Sequence, residues 1–199
     1  TVFKVTIQSA VNTIPTTCQG GAACAVGDLS PDGVGHVFYV SSGGFACGAT
    51  LAQTCHYLSV APATWSGGSQ DPTKNWSNVT STSVPSYNSS VASSTIIGAG
   101  LSQTNAIINQ GSACSSTACS YAAGAARYYH SYSENWYLPN DGELEAMYSS
   151  TYNGSYAALV FFSSTEFNST TVSTLDFSNH SIAGDLKSSS RYVRPIRAF

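Results

Sequence analysis

Six cysteines fall in three close couples, Cys18 with Cys24, Cys47 with Cys55 and Cys114 with Cys119. Each couple brackets a loop rich in Gly, Ala, Ser or Thr that can bring its two Cβ atoms together, so the spacing favours three local disulfides over long-range pairings. Each closed loop contributes about 2 to 2.5 kcal/mol on the chain-entropy account. Zinc is the rival use of such residues, but no Cys-x-x-Cys occurs and no His stands in finger spacing with a Cys. Local disulfides imply an oxidising, extracytoplasmic compartment.

The charge balance narrows the partners. Only 9% of the 199 residues are charged and the formal net charge is -3, against about 25% charged residues in ordinary soluble domains. No basic footprint exists for nucleic acid or an anionic membrane. Ser and Thr take the place of charge at about a quarter of the chain, a bias of surface-exposed material. A hydrophobic content of 42% with 12% aromatics still argues for a packed globule over a disordered chain. The longest apolar run, Ala157 to Phe162, is far too short to cross a bilayer. The chain opens on Thr1 with no basic and apolar leader, as expected of a processed product found outside the cell or on its surface after loss of a targeting segment.

Periodicity gives the organisation. Residues 1–8, TVFKVTIQ, put Phe3, Val5 and Ile7 on one side and Lys4, Thr6 and Gln8 on the other, the pattern of a half-buried strand. Further strands are expected near 36–41 and 56–61, in ALVFFSSTEF, in VSTLDF and in the closing RYVRPIRAF. Helices are expected near 102–110 and 119–130. A third begins in LPNDGELEAMY, where Asn140 as N-cap and Glu143 at the third helical position form a capping box, and Leu144, Met147 and Tyr148 share the buried face. Strands flanking a helical middle without β-α-β alternation make an α+β class. The expected division is an N-terminal arm of strand and stapled loop over 1–25, then one domain over 26–199.

The stretch VGDLSPDGVGHVFYV raises a metal question. Asp28, Ser30 and Asp32 alternate ahead of Gly33, as at the start of a calcium loop. Such a loop closes with a bidentate Glu at its twelfth position, which is Tyr39 here. The competing reading is a turn in which Asp28 bonds backbone amides and Asp32-Gly33 makes the bend. No metal or cofactor is expected.

These stretches, with CHYLSVAP, TWSGGSQDPTKNWSN, IIGAGLSQTNAII, NWYLPNDGELEAMY, FFSSTEF and YVRPIRAF, resemble in order the Lcl C-terminal domain family of collagen-like bacterial surface adhesins over about residues 25–199. The resemblance implies a fold related to C-type lectins, a bacterial surface or secreted setting and a role in attachment. It brings no accepted catalytic residue. Two departures stand out: Phe161-Phe162 replaces the family's Tyr-Trp, and Leu29 to Asp32 fills its glycine-rich turn.

The chemistry-bearing residues weigh towards structure. Glu143 and Glu166 are the one candidate pair for glycosidase-like hydrolysis, yet Glu143 already has a capping role. Arg194, three residues from both Arg191 and Arg197, faces opposite to them along a strand and is expected as the buried partner of a carboxylate such as Glu143 or Glu166. His36, His56, His130 and His180 are dispersed. Asn75, Asn78, Asn88, Asn153, Asn168 and Asn179 each begin an Asn-x-Ser/Thr sequon. Trp65, Trp76 and Trp136 are expected in the core, although Trp76 with Tyr87, inside the long polar segment 66–95, also marks the candidate ligand surface.

The sequence therefore predicts an extracellular, non-catalytic adhesion or binding protein with two kinds of partner, other copies of itself or a host or matrix glycan or protein. Its first strand, through Phe3, Val5 and Ile7, either closes its own sheet or extends that of a neighbour to build a filament. The alternatives are a monomeric carbohydrate-binding module and a hydrolase using Glu143 and Glu166.

Overall fold

The computed structural model describes residues 18–85, 95–111, 114, 118–131, 134–152, 156 and 158–199. The expected strand at 1–8, with Phe3, Val5 and Ile7, lies outside the described residues, as do Tyr87, Asn88 and Asn153. In chain order the elements are β1 (His36–Cys47), β2 (Gln53–Val60), β3 (Thr73–Asn75), α1 (Gly100–Gln110), α2 (Ala122–Arg127), α3 (Asp141–Tyr148), β4 (Val160–Glu166), β5 (Thr171–Asp176), β6 (Ser181–Leu186), β7 (Ser190–Tyr192) and β8 (Ile196–Ala198). Among the described residues this is an α+β fold of eight strands and three helices. Its strands form two sheets, β1-β2-β8 and β3-β7-β4-β5-β6.

All three local cysteine couples are disulfide-bonded, with Cα separations of 4.5, 5.9 and 5.6 Å in chain order. Cys47–Cys55 staples the β1–β2 hairpin beside the Phe45↔Cys55 pair. Cys18 and Cys24 are buried with Val37 against Tyr57 and Phe199, so the stapled loop of the arm is docked on the three-stranded sheet. Cys114–Cys119 lies against α2, and Gly124 is the reason it can: a Cβ there would run into both sulfurs.

The strand β4 has five consecutive buried residues, Phe161 to Thr165, because it is central in its sheet and packed by α1 and α3. Its buried hydroxyls are paired, as burial demands: Ser164 Oγ donates to Gln103 Oε1 at 2.8 Å and Ser163 Oγ accepts from Thr165 N at 3.0 Å. One core gathers Trp65, Trp76, Trp136, Phe162 and the alanines of α2. A second gathers Phe38, Leu58, Leu101, Leu144, Met147, Phe161 and Leu175.

Four expectations need correction. The helix expected over 119–130 is confined to Ala122–Arg127, since the Cys114–Cys119 ring and the parallel bridge from Tyr121 to Asn75 occupy the positions ahead of it. The closing strand breaks in two at Val193–Pro195, where proline cannot donate to a ladder, and its halves join different sheets as β7 and β8. Tyr148 is exposed instead of sharing the buried face of α3, and it stacks on His180 at 4.1 Å. β3 and β6 were not anticipated: β3 is three residues long, and β6, SIAGDL, lacks the β-branched richness that announces a strand.

Candidate functional site

The sequence paired Glu143 with Glu166 as hydrolase candidates and expected a carboxylate such as either of them beside Arg194, and the fold deals the three into separate knots. Glu143 is fully buried and holds the start of α3. Its carboxylate accepts from Asn140 N at 2.8 Å, Gly98 N at 2.9 Å and Tyr137 Oη at 2.9 Å, while Asn140 Oδ1 accepts from Glu143 N at 2.9 Å, completing the capping box. The Gly100 amide bonds it as well. A Cβ on Gly100 would collide with Glu143 Oε2, which explains the glycine in IIGAGL. Burial raises the Glu143 carboxyl to about 7 against the pull of these donors.

Arg194 is buried as expected, but its partner is Asp71 and neither Glu143 nor Glu166. The guanidinium bonds both Asp71 oxygens and donates from Nη1 to Ala61 O at 3.2 Å, while Trp65 Nε1 donates to Asp71 Oδ1 at 3.1 Å and Val193 O at 2.9 Å. Burial raises the Asp71 pKa and Arg194 opposes the rise. Glu166 is taken by Lys187, a fully buried lysine whose Nζ also donates to Thr82 O at 2.8 Å and stands 5.1 Å from the Trp76 ring centroid. Glu166 further accepts from Val84 N at 3.1 Å. No local signal marked Asp71 or Lys187, because their partners lie 123 and 21 positions away.

Trp76 cannot belong to a ligand surface: it is fully buried and Nε1 donates to Ser163 O at 2.7 Å. Trp65 and Trp136 are buried too. In the 28–33 turn, Asp28 Oδ2 accepts from Ala25 N at 2.8 Å, and Asp32 accepts from Ser30 Oγ and from Val34 N at 3.2 Å while pairing with Arg197 Nη1 at 2.7 Å. Gly33, at φ 74°, makes the bend. Asp28 thus works within the turn, and Asp32 also ties the turn to Arg197 of β8. Of the sequon asparagines described, Asn75, Asn78, Asn168 and Asn179 are exposed.

What the fold does leave open to a partner is the edge strand β6. Among the described residues it pairs only with β5, in unbroken register from Thr171↔Leu186 to Asp176↔Ser181. Lys187 N donates to Thr170 O at 2.9 Å, one step beyond the Thr171↔Leu186 pair. By the alternation of an antiparallel ladder, the backbone groups of Ile182, Gly184 and Leu186 then point away from β5. Leu186 is served locally, its N donating to Asp185 Oδ1 at 2.7 Å and its O accepting from Ser189 N. Ile182 and Gly184 present their amides and carbonyls outward.

The two faces of this edge differ. Ile182 and Leu186 are 47% and 52% exposed, and Phe167, 49% exposed, lies over Gly184 between them. On the other face, Ser181, Ala183 and Asp185 line a concavity of about 270 Å³ with Thr174, Asp176 and Arg191. Both ends are clamped. At the hairpin tip, His180 Nε2 meets Glu145 Oε2 at 2.6 Å, and Asp176 Oδ1 accepts from Ser178 Oγ at 2.6 Å and Ser178 N at 2.8 Å, which lowers the Asp176 pKa. At the far end, Asp185 pairs with Arg191 at 2.6 Å and Trp76 N donates to Lys187 O at 3.1 Å. An apolar ridge, outward backbone groups and fixed ends are what strand addition uses.

Neither a family model nor a curated protein matches the chain.

Proposed function

We propose that this chain is an extracytoplasmic, non-catalytic surface protein of lectin-like character that serves attachment and packs with copies of itself. The observation that carries the reading is the open β6 edge. Natural proteins usually blunt such an edge with lysine, proline, a bulge or a covering loop, and among the described residues β6 has none of these. Its one charge, Asp185, is held by Arg191 and Ser189.

Other features support it. The three disulfides fit an oxidising extracellular setting. A surface poor in charge offers little repulsion between packed copies. The resemblance to adhesin domains points to attachment, and the carboxylates that a hydrolase would need are committed to the capping box and to Lys187. Sedimentation velocity over a wide concentration range tests the reading: assemblies that grow with concentration are expected, and a single species of 20.7 kDa throughout would overturn it.

A further inference from the structure

We infer that the β6 edge is the acceptor for residues 2–8 of a second copy, which add to it as a sixth strand and join the copies head to tail. The inference rests on the self-packing reading above and names the two surfaces that meet.

Four matches support the pairing. The first is length: β6 has six residues, Ser181–Leu186, and VFKVTIQ offers seven in uninterrupted alternation without proline or glycine. The second is the apolar face. Phe3, Val5 and Ile7 share one side of the incoming strand and complete the ridge of Ile182, Phe167 and Leu186, which continues the sheet face that buries Leu175 with Leu144 and Met147. The third is the polar face. Lys4, Thr6 and Gln8 then fall on the side carrying Asp176 and Asp185, where the one lysine of the segment meets two carboxylates against Arg191. The fourth is the backbone: Ile182 and Gly184 direct their amides and carbonyls outward from the edge, and Gly184 has no side chain to hold a neighbour away.

The described chain starts from the other sheet, which favours a donor from another copy. Cys18 is buried against Val37, Tyr57 and Phe199 there, whereas β6 is the last strand of the five-stranded sheet. Donor and acceptor are different surfaces, so the contact is heterologous and propagates.

The test uses two variants of the full chain. Val5→Lys spoils the donor and leaves the acceptor, while Ile182→Lys with Leu186→Lys spoils the acceptor and leaves the donor. Light scattering should find wild type in assemblies that grow with concentration and each variant alone at 20.7 kDa. A mixture of the two variants should give a pair of twice that mass that grows no further. The acceptor positions are solvent-exposed, so its thermal midpoint should stay within a few degrees of wild type. As a measurement free of any folding defect, excess synthetic peptide TVFKVTIQSA should halt wild-type growth where a scrambled peptide does not. Assembly of wild type with variants that still assemble, no pair in the mixture, or no effect of the peptide would each overturn the assignment of strand to edge and leave self-packing standing. Wild type that stays a single copy would overturn both.

Discussion

Arg194 and Asp71 meet fork to fork, Nε to Oδ1 at 2.5 Å and Nη2 to Oδ2 at 2.6 Å, with about 1% of either side chain exposed. The geometry is bidentate and planar, which a lysine cannot reproduce. Removing one partner strands a charge in the core, so Asp71→Asn or Arg194→Met alone should cost about 3 to 5 kcal/mol in urea unfolding. Arg194→Met combined with Asp71→Leu should recover most of that loss, since no buried charge is left. A double variant as unstable as the worse single one would contradict this account.

Glu143 should make stability fall as pH rises from about 4.5 to neutrality. Its carboxyl, raised from 4.5 to about 7 in the folded chain, holds its proton more tightly folded than unfolded. The linkage term therefore favours the folded state below about 4.5 and is lost as pH rises through about 7, a difference on the order of 3 kcal/mol. Glu143→Gln should flatten that window in urea titrations at successive pH values. It should also lower stability throughout by about 1 to 3 kcal/mol, because an amide NH₂ would face backbone donors such as Asn140 N or Gly98 N.

The turn at 28–33 should be indifferent to calcium. Asp28 is bonded to the Ala25 amide and Asp32 is paired with Arg197, so neither EDTA nor millimolar Ca²⁺ should move the thermal midpoint. A rise with Ca²⁺ would restore these carboxylates as ligands.

Reduction should reveal all six thiols and destabilise the chain in steps. Peptide mapping should pair Cys18 with Cys24, Cys47 with Cys55 and Cys114 with Cys119. Replacing one pair by serines should cost about 2 kcal/mol. The Cys114/Cys119 variant should additionally tolerate Gly124→Ala better than wild type, since the sulfurs that oppose a Cβ there are gone.

The contrast between α3 and the buried ion pairs measures how far the sequence could be read. Asn140 and Glu143 are three positions apart, so the capping box could be found locally, and the structure has it complete. The spacing of Arg194 from Arg191 and Arg197 likewise announced a buried arginine. Its partner could not be read, because Asp71 reaches it only through tertiary packing, and Glu143 and Glu166 looked equally suitable on charge alone. The same limit hid Lys187, which is buried over Trp76 with Glu166 beside it. Trp76 was legible as a core residue but not as a surface one. The β6 edge escaped notice because Ile182, Gly184 and Leu186 form too weak an alternation and its partner strand, not its own composition, gives it shape.

The shortness of the disulfide rings sets how the chain would respond to tension. They span separations of six, eight and five residues, and none runs from one sheet to the other. Almost the whole contour is therefore free to pay out at about 3.3 to 3.6 Å per residue once the sheets part. A loaded copy would lengthen many times over and dissipate work without breaking a covalent bond, then refold around three rings that had never opened. In the attachment role proposed above, that is the behaviour of a shock absorber.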